Sequence, residues 1–578
     1  MVLKHYRKFI PAVLVIIAFL FGQAMCELAL PGYMADIIDK GIVKGDHPYI
    51  YTAGALMLLV SLGSIAFAIL SSLIASRVAA GAARDIRSSL FRKVTFLSEA
   101  ELDQFSTASL ITRSTNDIQT IQQVSVMALR MAFYAPILGI GALLKALNTS
   151  PSLTWTIGVA LASIFVIMGI LFSLVIPKFK AIQKKLDRLN LIIGERLSGL
   201  QVIRAFNSQG QEGLRFDEEN RGLMKISIFV NRAMSFLFPA LMLIMNSVNV
   251  LVLWVGSHMI EGGNLQIGDM LAFLQYAMQI IMSFLFITMV FFMIPRAAVS
   301  GQRIYAVLKV SPQINDNPHA EDLPDPQGVL EFQGVGFAYP DGEEKALSHI
   351  SFTAKPGTTT AIIGGTGSGK STLVRLIPRF FDPTEGRILL DGVDLRDLPQ
   401  RALRDKIGYV PQKSVLFSGT VASNLRQGKK DATMEEMQGA LETAQALSFV
   451  ENMPQGLDST ISQGGTDLSG GQKQRLSIAR ALIKDPMIFL FDDSFSALDF
   501  TTDAALRRSL KDNAKDATII LVAQRINTIM DADQIIVMDQ GKIVSTGRHG
   551  ELMATCNIYR EIASSQLSEE ELKKEAWS

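Results

Sequence analysis

Gly364-Gly365-Thr366-Gly367-Ser368-Gly369-Lys370-Ser371-Thr372 is the stretch on which the reading of this chain turns. A strand-like run, Thr359–Ile363, leads into it, and a helix-like run, Leu373–Phe380, leads away. The pattern G-x-x-x-x-G-K-[ST] in a strand–loop–helix setting predicts a phosphate-binding loop. Its glycines let successive backbone N–H groups turn inward around a β-phosphate, and the helix start adds its dipole. Lys370 then reaches the β/γ oxygens and Ser371 can ligate Mg²⁺. Downstream, the apolar run Met487–Phe491 ends in Asp492 and Asp493. An acidic residue at the end of a buried parallel strand beside such a loop is where Mg²⁺ needs an anion. Between the two lies Leu468-Ser469-Gly470-Gly471-Gln472, opening a helical pattern: a second anion site at a helix N-terminus. Two such sites on one triphosphate in one chain are uneconomical. The second is therefore expected to close over a nucleotide held by another copy of the domain.

Upstream of this α/β segment the composition changes. The chain has 578 residues, enough for several domains, and is 49 % apolar and 19 % charged. Charge is concentrated after residue 310. Lys+Arg (55) and Asp+Glu (54) nearly cancel, so no global basic field points to nucleic acid. Two cysteines, Cys26 and Cys556, exclude a disulfide scaffold and a cysteine-based zinc site.

A bilayer-spanning helix needs ~20 mostly apolar residues. Six such stretches are readable: Phe9–Leu30, Tyr49–Ile74, Met127–Leu147, Leu153–Ile176, Phe236–His258 and Met270–Ile294. The first is too long for a signal peptide and is read as a retained span. Arg and Lys concentrate in the connections after spans 2 and 4 (Arg77 to Arg113, Lys178 to Arg232), which predicts that these connections and both termini are cytoplasmic. Within those connections Arg77–Leu97 and Lys178–Leu200 keep helical periodicity, so the spans are expected to run on well below the membrane. The division that follows is a membrane domain over 1–310, a proline-punctuated linker over 311–327, and a nucleotide-binding domain over 328–578 with a charged C-terminal helix. The fold class is a polytopic α-helical membrane domain plus an α/β P-loop domain.

The order of these motifs after six spans with two long connections resembles an ATP-binding cassette (ABC) exporter half-transporter. Arg379-Phe380-Phe381-Asp382-Pro383-Thr384-Glu385-Gly386, Val410-Pro411-Gln412, Ser496-Ala497-Leu498-Asp499 and Phe337-Ala338-Tyr339-Pro340 carry the resemblance further. It implies an ATPase coupled to transport, with ATP and Mg²⁺ as ligands. Tyr339 would stack on adenine, Gln412 would help hold Mg²⁺ and sense the γ-phosphate, and Asp492 would hold Mg²⁺. Ser469, Gly470, Gly471 and Gln472 would contact ATP bound to the partner subunit. Turns near Ala100–Phe105 and Gln209–Glu212 would be the coupling helices.

Two departures stand out. The family normally has Glu after the second strand, and here it is Asp493; a later switch histidine is Gln524. Losing one methylene withdraws the carboxylate by ~1.5 Å. Glutamine can donate to a γ-phosphate but cannot carry a proton as imidazole does. Gln463 also replaces a common Glu. This chain's own site is therefore expected to bind ATP and hydrolyse it poorly while its signature segment stays competent. That asymmetry resembles the degenerate-site subunit of heterodimeric bacterial multidrug exporters and implies a second, non-identical half-transporter. The alternatives are a homodimer, a lipid or peptide exporter, and an ATP-gated channel.

In the membrane half, ionisable groups at bilayer depth point to function. Glu27 is the leading candidate for the path of a hydrophobic small-molecule substrate, with Gln23 one turn away and Asn246 in span 5. Arg130 is expected near the inner interface, where it can snorkel. Met278, Met282, Phe284, Phe286, Met289, Phe291, Phe292 and Met293 make span 6 a polarizable stretch suited to varied hydrophobic ligands, with lipid-facing packing the expected use of most of them.

Overall fold

A computed structural model describes residues 2–567, apart from 325, 341 and 343. The charged end of the chain, 568–578, on which the C-terminal helix expectation falls, lies outside the described residues. The chain divides into two compact units, one comprising residues 1–94 and 107–309, the other 95–106 and 310–578.

Among the described residues, six helices are long and apolar enough to cross a membrane: His5–Ile42, His47–Thr95, Thr107–Thr149, Pro151–Ser198, Gln209–Glu261 and Ile267–Lys309. At 1.5 Å per residue, the 49 residues of the second would extend ~73 Å, against a hydrocarbon core of ~30 Å. The spans therefore do run on as continuous helices. The first is also longer than its apolar run suggests, because the helix passes through Pro31 and a π-helical turn at Ile37–Ile42. Pro31 lacks an N–H and reads as a helix end, yet it is buried inside the helix, whose neighbours hold it in place. Pro136, Pro177, Pro239 and Pro295 are likewise helix-internal.

Spans 1, 3 and 6 share an apolar core that includes Leu28, Leu138, Ala142, Phe273, Tyr276 and Ala277. Small residues allow this close approach. A Cβ added at Gly139 would come within 3.2 Å of the Ser283 Cβ on span 6. Spans 4 and 5 run along one another and are tied by Glu219, which pairs with Lys185 (2.6 Å) and Arg188 (3.0 Å). Their connection is the short helix Leu200–Ala205, so Gln209–Glu212 begins the next long helix rather than forming the turn.

In the second unit two sheets carry the fold. Strands β1 (Leu330–Phe337), β2 (Leu347–Ala354), β4 (Glu385–Leu390) and β5 (Val393–Asp394) make an antiparallel sheet in the order β2-β1-β4-β5. The larger sheet uses β3 (Thr359–Gly364), β6 (Ile407–Val410), β9 (Ile488–Asp492), β10 (Thr518–Val522), β11 (Gln534–Asp539) and β12 (Lys542–Gly547). Its order is β12-β11-β3-β10-β9-β6, and all neighbours are parallel except β11 and β12. A short pair, β7 (Gly419–Thr420) and β8 (Thr460–Ile461), lies apart. The central strands β9 and β10 are buried along their whole length, as near-continuous apolar runs in a parallel sheet should be.

Among the described residues, the segment before β1 has no helix or strand and is pinned to this unit. Asp316 accepts from the Gln400 backbone N–H (3.0 Å), Asp322 pairs with Lys406 (2.5 Å), and Gln313 N–H donates to Glu101 (2.8 Å).

Candidate functional site

Parallel strands put their carboxyl ends on one edge of a sheet, and ligands bind outside that edge. Here the neighbours β3, β10, β9 and β6 end, in that spatial order, at Gly364, Val522, Asp492 and Val410. The residues that follow them are the phosphate loop, Gln524, Asp493 and Gln412, so the sheet order gathers four segments far apart in sequence.

The loop turns through left-handed backbone at Gly367 (φ 82°) and Gly369 (φ 95°). At Gly369 a Cβ would lie 2.8 Å from the Ala346 carbonyl, so only glycine fits. Gly365, Thr366 and Gly367 form the exposed crest of the loop, and Ser368 is buried beneath it. The Lys370 ammonium folds back into this turn, donating to the carbonyls of Gly364 (2.8 Å) and Gly365 (2.7 Å) and to Ser368 Oγ (3.3 Å). Burial pulls the Lys370 pKa down, partly countered by Asp493 and Asp492. A buried ammonium satisfied only by neutral carbonyl and hydroxyl oxygens would gain from an anion in the loop.

Ser371 Oγ donates to Asp492 Oδ1 at 2.8 Å. A hydroxyl and a carboxylate oxygen so placed suit a hard cation that keeps several waters and takes further oxygens from phosphates. Among the described residues no cluster of three or more His, Cys, Asp or Glu forms a closed metal cage. The Ser371 hydroxyl and the Asp492 carboxylate fit Mg²⁺ arriving with a nucleotide; the Gln412 amide nitrogen is committed to Asp493. Burial pushes the Asp492 carboxyl up, against the Ser371 hydrogen bond that lowers it.

Asp493 sits in left-handed backbone (φ 51°) and is 7 % exposed. Its Oδ2 accepts from Gln524 Nε2 (2.8 Å) and from Gln412 Nε2 (3.2 Å). Burial raises its pKa, the Gln412 bond lowers it, and neighbouring Asp492 raises it further. The three residues at which reaction chemistry is expected thus converge on one carboxylate oxygen. This convergence was not readable from the motifs, because nothing local in the sequence says that Gln412 and Gln524 face the same atom.

Tyr339 stands edge-on to Phe337 (4.9 Å between ring centroids) and Phe381 (5.5 Å), and its hydroxyl hydrogen-bonds Thr372 Oγ1 at 3.0 Å. The ring is thereby fixed beside the start of the phosphate-loop helix. Ser469 and Gly470 are exposed at the N-terminus of helix Gly470–Leu482. Ser469 and Gln472 form a reciprocal cap: Ser469 N–H donates to Gln472 Oε1 (2.9 Å), and Gln472 N–H to Ser469 Oγ (3.3 Å). Among the described residues no hydrogen bond joins this segment to the phosphate loop of the same chain. Gly471 lies instead beside the carbonyl of Ala497, 3.2 Å from where a Cβ would stand. Gln463 is exposed in a short turn just upstream.

The turn expected near Ala100–Phe105 is a short helix, and its ion pair to the phosphate-loop helix is the part that was not singled out from sequence. Residues 95–106, between spans 2 and 3, belong with the second unit, and their short helix Glu99–Asp103 begins with Ser98 N–H donating to Glu101 (2.6 Å). Glu99 pairs at 3.2 Å with Arg375, on the helix Lys370–Leu376 that follows the phosphate loop.

In the membrane unit Glu27 accepts from Gln23 (3.0 Å), Ser64 (3.2 Å) and the Tyr134 hydroxyl. Ser64 and Tyr134 were not singled out from sequence; a hydroxyl inside an apolar span was the available signal. Glu27 and Gln23 lie on the wall of a cavity of about 420 Å³ that also exposes Arg130, Tyr134, Met282 and Phe286. Arg130 thus faces this cavity. Asn246 is exposed on span 5 and is not among the cavity's lining residues, so the structure does not group it with Glu27.

Comparison with known proteins gives two family matches: an ABC transporter transmembrane region over residues 13–284 and an ABC transporter domain over 347–496. An uncharacterized ABC transporter ATP-binding protein of Mycobacterium tuberculosis is 41 % identical over 568 residues, covering 97 % of each chain. An ATP-dependent lipid A-core flippase of Chromobacterium violaceum is 30 % identical over 546 residues, covering 94 % of this chain and 93 % of that one. Among solved structures, a bacterial Atm1-family ABC exporter with ATP bound superposes with a TM-score of 0.81 at 26 % identity, covering 97 % of this chain and 99 % of that one.

Proposed function

This chain belongs to the ABC transporter family, as a multi-pass half-transporter of the exporter type whose cassette is an ATPase, and from that premise we propose that it exports hydrophobic or amphipathic compounds as one half of a heterodimer. The membrane domain is residues 1–310 and the cassette 328–578, joined by 311–327, with both termini on the cytoplasmic side of the plasma membrane. The cassette binds ATP with Tyr339 against adenine and the loop Gly364–Thr372 around the phosphates. Ser371, Asp492 and Gln412 hold Mg²⁺.

The observation that carries the heterodimer is the cluster on Asp493. Its carboxylate is one methylene shorter than the family's glutamate, and two side-chain amides already occupy one of its oxygens. Neither amide can take up a proton in place of an imidazole. By contrast, Ser469 and Gly470 present an exposed helix N-terminus with its cap in place, ready to receive phosphate from another subunit. An impaired site beside an intact half-site makes sense when a different subunit supplies the glutamate and histidine. Glu99 against Arg375 then offers a direct path from the loop after span 2 to the helix under the phosphates.

Purification of the tagged chain from its native membrane tests this. A distinct second half-transporter in equal amount is expected, and a single species would overturn the heterodimer. Lipid movement is a second reading of the cargo, supported by the relative named as a lipid A-core flippase.

A further inference from the structure

We propose that the cavity between spans 1, 3 and 6 selects amphiphiles with an anionic phosphate- or carboxylate-type head, and that Arg130 is the residue that reads the head. This rests on the export reading above and names the substrate class of that site. Two charges stand on the cavity wall, Glu27 and Arg130. An ionised carboxylate offers about four lone-pair positions. Glu27 has three donors on its two oxygens, from Gln23, Ser64 and Tyr134, so it is largely satisfied within the protein. Arg130 lines the same cavity, and among the described residues its guanidinium has neither a hydrogen bond nor an ion pair. Five N–H donors in a fixed fork therefore face the cavity uncommitted, which is the geometry that takes a carboxylate or phosphate in a bidentate manner.

The rest of the wall suits a chain. Met131, Leu138, Met278, Met282 and Phe286 contribute apolar, adaptable surface. A volume of about 420 Å³ is within the range of small-ligand sites, roughly 300–1,000 Å³, so it can hold a head and part of a tail. Arg130 precedes Tyr134 by one helical turn, so a bound head would lie next to the hydroxyl that holds Glu27. The site is thus divided into an internally hydrogen-bonded acid, an open cation and an apolar wall.

The test is equilibrium binding of labelled dodecyl phosphate, without nucleotide, to the transporter as purified and placed in phosphatidylcholine nanodiscs, with empty nanodiscs subtracted. Dodecyl phosphate is expected to bind, dodecanoate to compete, and dodecyltrimethylammonium and inorganic phosphate at equal concentration not to compete. Arg130→Gln should weaken binding about tenfold or more, as loss of a charge-assisted pair implies. Arg130→Lys should fall between. ATP affinity, read on the same samples, reports that each variant is folded. Should Arg130→Gln fail that check, Arg130→Lys decides, and unchanged binding in it overturns the proposal. Equal binding by folded Arg130→Gln, displacement by the trimethylammonium compound, or displacement by inorganic phosphate alone would each overturn it as well. Because the readout is binding and not turnover, a wrong heterodimer assignment would leave this result interpretable.

Discussion

Lengthening the acid at Asp493 is the most informative change to the cassette. Its carboxylate is ~1.5 Å short of the reach a glutamate would have, and its Oδ2 is engaged by Gln524 at 2.8 Å and Gln412 at 3.2 Å. A ~1 Å misplacement of a reacting group costs on the order of 10²-fold, equivalent to ~2.7 kcal/mol of barrier. Asp493→Glu combined with Gln524→His should recover much of that factor at this chain's own site. It restores reach and replaces one amide with a group that can carry a proton. The reverse change, Asp493→Asn, should lower the ATPase of the assembled transporter by no more than about twofold. Asparagine still offers an oxygen to one of the two amides, so the local fold survives, and little catalysis is lost where little was present. The assay is steady-state phosphate release by the assembled transporter, with single-turnover release at the altered site measured alongside. Near-complete loss in Asp493→Asn, with ATP binding intact, would refute the reasoning, since it would make Asp493 a working base at its present length.

Ser469→Arg should abolish most of the assembled ATPase while this chain still binds ATP, because on the proposed arrangement the exposed cap it fills completes the partner's site; filter binding and phosphate release separate the two effects. Tyr339→Ala should weaken ATP binding about tenfold, in line with ~1–3 kcal/mol for a stacked base, and Tyr339→Phe much less. Asp492→Asn should raise the thermal stability of the nucleotide-free transporter more at pH 8 than at pH 5. Burial raises the folded-state pKa of Asp492 above its unfolded value. Its contribution is therefore most favourable below the unfolded value and is lost as pH rises through the folded one, so removing the charge helps most at high pH. The same variant should lose the stabilisation that Mg²⁺ and ATP together confer. Differential scanning fluorimetry at the two pH values checks both.

The cassette was the more legible half. Its phosphate loop is a contiguous stretch whose glycines, lysine and hydroxyl each answer a local demand, and Gly369 shows the demand directly: the Ala346 carbonyl leaves no room for a side chain. Asp492 was legible because an apolar strand announces its own end. The meeting of Gln412 and Gln524 on Asp493 was not, since it follows from the spatial order β3-β10-β9-β6, which no local period encodes. In the membrane half, hydropathy found six apolar stretches but not how far their helices continue. Proline signals a break in water, whereas Pro31 is carried inside the first helix by its packing. Glu27 was visible as a charge in an apolar run. Its partner Tyr134 lies 107 residues away, and only the packing of spans 1 and 3 brings them together. Asn246 was chosen on polarity alone; it is exposed and is not among the residues that line the cavity holding Glu27.

The most direct measurement is ATP turnover by this chain expressed without any other half-transporter, set beside turnover after its co-purified companion is added back. The isolated chain should bind ATP yet release phosphate at least ~10²-fold more slowly than the pair, with no cargo moved. Fast hydrolysis accompanied by transport from the isolated chain would contradict the account.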